Sequence, residues 1–114
     1  MTVRYFDWQR KRKMTRESVI ENGLVKMVEK VSGRCWKWIS NSRRGLPDRI
    51  VLLPVPEEHQ EIVNRYVKFV ETKALGKKPT KQQEYVHGIF RGLGYAVHIV
   101  DNPEDAKKVI AGES

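Results

Sequence analysis

The chain has 114 residues, of which 39% are hydrophobic and 32% charged. That length suits one domain with a two-layer core, and the composition is that of a globular chain. A formal charge of +8 favours a polyanionic partner, because Lys and Arg that neutralise phosphates release condensed counterions; a basic surface that serves only solubility is the alternative. The single cysteine, Cys35, excludes an internal disulfide and a Cys-rich zinc site, and reads as a small buried hydrophobe. No apolar run is long enough to span a membrane, and the first residues lack the apolar core of a signal peptide, so a cytoplasmic protein is expected.

Residues 1–14 read as an arm, with Tyr5, Phe6 and Trp8 ahead of Arg10, Lys11, Arg12 and Lys13. Such a run can stack on bases and hold phosphates, or it can be a frayed tail or a segment that packs on a partner subunit. From Thr15, a plausible N-cap, Ile20, Leu24, Met27, Val28 and Val31 recur at helical spacing, and Gly33 is a plausible stop. A short strand is expected at 35–39, a loop at 41–47 and a second strand at 48–53. Pro54 and Pro56 end that strand, and 57–64 fits either a hairpin loop or a short helical insert. Alternation over 65–72 predicts a central strand. A Gly- and Lys-rich loop over 74–79 follows. Thr80 then opens a helix with Tyr85, Val86, Ile89, Phe90 and Leu93 on its apolar face and Gly94 as its C-cap. A fourth strand is predicted at 95–100. Asn102 and Pro103 fit the N-cap and first position of a closing helix that runs to about Ala111. The order α-β-β-β-α-β-α, without repeats or an internal linker, predicts one α/β domain over 15–114 in which helices cover a four-stranded sheet.

Chemistry concentrates at two strand ends. Asp48 opens the second strand and Glu71 closes the third, so an antiparallel hairpin of these strands would bring the two carboxylates together. Two hard oxygen ligands suit Mg²⁺, which takes few protein ligands and keeps several waters. Lys73 lies two residues beyond Glu71, on the same face of a strand, where an ammonium can orient or deprotonate a water and neutralise charge at phosphorus. A turn aspartate and a surface ion pair would account for the same residues without chemistry. Arg43, Arg44 and Arg49 flank the Asp48 turn, and Lys77, Lys78 and Lys81 stand at or before a helix N-terminus; each group suits DNA phosphates or a solvated loop. Gln83, three residues after Thr80, completes a capping box or contacts the site, or does both. Glu21 lies near the apolar face of its helix and either reaches a metal through water or is a boundary residue that pairs with a lysine. His59, His87 and His98 lack metal-ligand spacing and read as core or surface residues, and Trp36 and Trp38 as packing.

In this order, the segments that contain Glu17 and Glu21, Arg43-Arg44-Gly45-Leu46-Pro47-Asp48-Arg49, Phe69-Val70-Glu71-Thr72-Lys73, Pro79-Thr80-Lys81-Gln82-Gln83 and Gly94-Tyr95-Ala96-Val97-His98 resemble the VRR-Nuc family of virus-type replication-repair nucleases. That family is a branch of the PD-(D/E)XK superfamily, and the resemblance extends over residues 17–110. It implies a restriction-endonuclease-like domain with a central mixed four-stranded sheet. It implies Asp48, Glu71 and the Thr72 carbonyl as metal ligands, Lys73 as the catalytic lysine, and Gln83 as a supporting residue. Glu21, ahead of Glu17, is implied as the acidic residue of the first helix, acting directly or through water. It further implies Mg²⁺, with Mn²⁺ able to substitute, and a homodimeric endonuclease of a bacterial or phage-infected cell that cleaves four-way (Holliday) junctions in replication, recombination or repair. Flap or end cleavage, and DNA binding without catalysis, are the alternatives. The stretch between Asp48 and Glu71 is longer than in compact members, and residues 54–64 account for the difference.

Overall fold

A computed structural model describes residues 16–39 and 43–112. The basic arm and Thr15 lie outside the described residues. The chain divides into two compact units, Met1–Leu53 and Pro54–Ser114.

In the first unit, helix α1 (Arg16–Lys30) precedes strands β1 (Arg34–Lys37) and β2 (Arg49–Leu52). The two strands pair antiparallel, with Arg34 opposite Leu52 and Lys37 opposite Arg49. The ladder extends one step further, because the Trp38 N–H donates to the Asp48 carbonyl at 2.9 Å. Val28, Cys35 and Leu52 are buried beside Gly23 and Gly33. The apolar stripe expected on α1 is rotated. Val28 is buried and Leu24 half-buried, whereas Ile20, Met27 and Val31 face solvent. The inner side carries Gly23, which is buried together with Val28. Ser32, at φ 65, adopts the left-handed conformation that ends the helix. Gly33 serves packing instead: a Cβ there would lie 2.7 Å from the Leu52 carbonyl oxygen.

The second unit holds α2 (Glu57–Tyr66), β3 (Phe69–Thr72), α3 (Lys81–Leu93), β4 (Val97–Val100) and α4 (Pro103–Ala111). β3 and β4 pair parallel through the α3 crossover, with Phe69 opposite Val97 and Thr72 opposite Val100. Phe69 anchors the core, stacking against Phe90 at 4.5 Å and edge-on against Tyr95 at 5.8 Å between ring centroids. Leu93, Val100 and Val109 are buried in the same unit, Val100 on the other face of the sheet because it pairs with Thr72. Asn64 ties the end of α2 to the α3–β4 turn, donating to the Gly94 carbonyl and accepting from the Ala96 amide, both at 3.0 Å. The helix signals act where expected. Thr80 and Gln83 form a reciprocal capping box, Gly94 (φ 101) caps the C-terminus of α3, and Asn102 caps α4 ahead of Pro103.

Two expectations are corrected. Residues 65–72 are not one strand, because Arg65 and Tyr66 complete α2 and β3 begins at Phe69. Glu57 and Glu58 in the first turn and Arg65 in the last complement the helix dipole, and the Val67 amide closes the last turn onto Val63. The mixed four-stranded sheet is replaced by two two-stranded sheets, β1–β2 and β3–β4. A hairpin needs a short connection, and the ten-residue α2 stands between β2 and β3; β3 instead pairs with β4.

Candidate active site

Glu71 is the third residue of β3, and alternation turns Phe69, Glu71 and Lys73 to the half-buried face while Val70 and Thr72 are exposed. Helix α3 covers that face and presents Gln83 and His87, which lie one turn apart. Gln83 Nε2 donates to Glu71 Oε2 at 3.1 Å, and His87 Nε2 lies 3.2 Å from Glu71 Oε1. Each carboxylate oxygen thus has one hydrogen-bond partner here and retains a further lone pair. The Gln83 side chain is bifunctional: its Oε1 accepts from the Thr80 amide at 2.9 Å while its Nε2 holds Glu71.

His87 is buried, at 6% exposure, and its Nδ1 has no hydrogen-bond partner among the described residues. His87, expected as a core or surface residue, is buried and also contacts Glu71, which its place in the sequence does not announce. The available signal was its spacing of one helical turn from Gln83, which gains meaning only once α3 is known to lie over β3.

Backbone geometry presents one more oxygen. The Lys73 amide donates to the Val100 carbonyl at 2.9 Å. Successive backbone groups of a strand point to alternate edges, so the Thr72 carbonyl points away from β4. The loop after Lys73 is pinned by Asp101, whose Oδ2 accepts from the Gly76 amide at 3.0 Å. That hydrogen bond, then one from the Asn102 side chain, holds the Asp101 carboxyl below the usual carboxylate range. Lys77, Lys78 and Lys81 are exposed on this loop and at the start of α3.

In the first unit, Asp48 is exposed at the entrance to β2, and Arg43 and Arg44 are exposed ahead of it. Arg49 points elsewhere. Its Nε donates to Glu21 Oε2, and a terminal guanidinium nitrogen reaches the Cys35 carbonyl at 3.4 Å. The Arg49 and Glu21 side chains are only 18% and 29% exposed, so each largely occupies the other. Glu17 is exposed in the first turn of α1.

The Glu71 donor set fits a hard divalent cation: an anionic oxygen ligand oriented by two donors, with a backbone carbonyl from the next residue. Among the described residues, no cluster of three or more His, Cys, Asp or Glu side chains makes a ready-made metal cage. None of their helices is long and apolar enough to cross a membrane.

Over 92 residues the chain is 39% identical to a protein of Acyrthosiphon pisum secondary endosymbiont phage 1 named "Putative nuclease p44", covering 81% of this chain and 89% of the phage protein. No family model matches the chain, and no solved structure matches it.

Proposed function

Because the chain belongs to the family of the phage protein "Putative nuclease p44", we propose that it is a Mg²⁺-dependent endonuclease that hydrolyses phosphodiester bonds in DNA. We further place it in the VRR-Nuc branch of the PD-(D/E)XK superfamily, on the segments quoted above. The observation that carries this reading is the Glu71 carboxylate held from one side by Gln83 and His87, with Lys73 two residues along the same face.

In this reading Glu71 and the Thr72 carbonyl hold the divalent ion, and Asp48 is the second carboxylate, an assignment that rests on sequence. Bound there, the ion supplies Lewis-acid activation of water and charge neutralisation at phosphorus. Gln83 and His87 fix the rotamer of Glu71, so its oxygens are oriented before substrate arrives. Lys73 orients the attacking water and stabilises the charge that develops on the non-bridging oxygens. Glu21 acts through Arg49, fixing the first residue of β2 next to Asp48. Arg43, Arg44, Lys77, Lys78 and Lys81 hold backbone phosphates. The preferred substrate is branched DNA, foremost a four-way junction cut by a homodimer whose two-fold axis matches paired incisions.

The test compares cleavage of a labelled four-way junction, a flap and plain duplex in Mg²⁺ and in EDTA, for the wild type, Glu71→Gln and Lys73→Ala. Metal-dependent junction cutting that both substitutions abolish, with binding retained in Lys73→Ala, is the expected result. Binding without cleavage by the wild type would overturn the catalytic reading. Cutting of flaps alone would overturn the junction preference.

A further inference from the structure

From Ala74 to Lys78 the loop after β3 carries no buried side chain, so hydrogen bonds and not packing give it its shape. Its start is fixed by the Lys73 amide, which donates to the Val100 carbonyl at 2.9 Å. The Lys77 amide closes a turn onto the Ala74 carbonyl at 2.9 Å, with Gly76 (φ 79) at the third position, where positive φ suits glycine. The apex is held from outside the loop, by the Gly76 amide donating to Asp101 Oδ2 at 3.0 Å. We propose that Asp101 is a positioning residue for the DNA contact, which through the Gly76 amide presents Lys77 and Lys78 to backbone phosphates.

The anchor itself is rigid. Asp101 directly follows buried Val100, the last residue of β4. Its other oxygen, Oδ1, accepts from Asn102 Nδ2 at 2.8 Å, and Asn102 caps α4 by accepting from the Asp105 amide at 2.8 Å. The turn is thus tied through one carboxylate to the end of a strand and the start of a helix, which lowers the ordering cost when the lysines engage a ligand. The Gly76 amide, then the Asn102 side chain, hold the Asp101 carboxyl below its usual range, so it is an ionised acceptor at neutral pH. Its charge has the wrong sign for a surface that meets phosphates. Removing that charge alone would tighten DNA binding, whereas releasing the turn would weaken it, and the two effects can be told apart. Lys81 offers a contrast, because it stands in the first turn of α3 behind the Thr80–Gln83 capping box and does not depend on this turn.

This inference rests on the reading that Lys77 and Lys78 hold DNA phosphates. Binding of a labelled duplex of about 30 base pairs is measured in EDTA at about 50 mM salt, where phosphate contacts weigh most. The proteins are the wild type, Asp101→Ala, Asp101→Asn, Lys77→Gln/Lys78→Gln, and the lysine pair combined with Asp101→Ala. Asp101→Ala should weaken binding by about three- to tenfold although it removes a negative charge. Asp101→Asn should bind at least as tightly as the wild type, since its amide oxygen still accepts from Gly76 and Asn102 Nδ2 keeps its second acceptor, Asp105 Oδ2. The lysine pair should weaken binding by roughly tenfold, and in that background Asp101→Ala should cause no further loss. An Asp101→Ala protein with wild-type circular dichroism that binds as tightly as Asp101→Asn would overturn the proposal. So would an undiminished Asp101→Ala loss in the lysine-pair background, which would place the effect of the carboxylate elsewhere. A lysine-pair variant that binds like the wild type would remove the phosphate role of Lys77 and Lys78 and this proposal with it. Failure of the wild type to cleave in Mg²⁺ sinks the catalytic reading and leaves the binding result standing.

Discussion

Gln83 joins the cap of α3 to the carboxylate of β3, and two substitutions separate those roles. Gln83→Ala removes both the hydrogen bond from the Thr80 amide and the donor to Glu71. A neutral hydrogen bond contributes about 1 kcal/mol, and one to a carboxylate as well screened as Glu71, at 25% exposure, about the same, so the loss is about 2 kcal/mol. For a unit of this size that lowers Tm by about 10 °C. Gln83→Glu keeps the cap, because a carboxylate accepts from the Thr80 amide equally well. It also sets a second negative charge against Glu71. Two charges about 4 Å apart repel by about 1 kcal/mol in water and about 4 kcal/mol near a protein surface, and partial exposure puts this pair near 2 kcal/mol. In EDTA the two variants should therefore melt at similar temperatures for different reasons. Adding Mg²⁺ should raise the Tm of Gln83→Glu by several degrees more than that of the wild type, since a cation relieves the repulsion, and should raise that of Gln83→Ala no more than that of the wild type. Thermal denaturation by circular dichroism reads all three. A Gln83→Glu protein that melts above the wild type in EDTA would refute the reasoning, because it would mean that no ionised carboxylate faces position 83.

Other perturbations have equally definite outcomes. His87→Leu should leave stability within about 1 kcal/mol, because the lost Glu71 contact is offset by removing the unpartnered Nδ1, yet lower Mg²⁺-dependent cleavage by about 10- to 100-fold; melting curves and initial rates check the two halves. Gly94→Ala should cost about 2 kcal/mol or more by denaturant titration, because it adds a Cβ at φ 101 that would lie 2.8 Å from Gln60 Nε2. The Asp101 carboxyl is held below its usual range, first by the Gly76 amide, so its contribution is present above about pH 4 and is withdrawn as pH falls further. Asp101→Ala should accordingly melt below the wild type at neutral pH and converge with it in acid, with faster hydrogen exchange at the Gly76 amide.

What was legible in the sequence was local. Asn102-Pro103, Thr80 with Gln83, and Gly94 each satisfy orphan helix-end groups within a few residues, and each acts at the position read for it. What was not legible depended on distant partners. Arg65 to Val67 alternate as a strand would, but the helix follows from Pro56, the acidic first turn and the hydrogen bonds of Asn64 to Gly94 and Ala96, partners that no short window contains. The hydrophobic stripe of α1 does not set its orientation: Gly23 and Val28 are buried while Ile20, Met27 and Val31 are exposed. Strand pairing is the most non-local feature of all, and the hairpin expected between the second and third strands gave way to a parallel crossover.

The same distinction runs through the candidate site. The capping role of Gln83 was readable from Thr80 alone, whereas its grip on Glu71 required α3 to lie along the face that β3 turns toward it. Once that packing exists, the two roles reinforce each other. The cap fixes where α3 begins, and with it the height at which Gln83 and, one turn later, His87 meet the carboxylate. Shifting the helix start by a residue would rotate both donors by about 100° and take them off Glu71 together. The side chain that sets the helix boundary is thus also the one that sets the geometry of the carboxylate. For that reason a deletion within residues 77–80 that moves the cap should impair metal-dependent cleavage as severely as removing Gln83 itself.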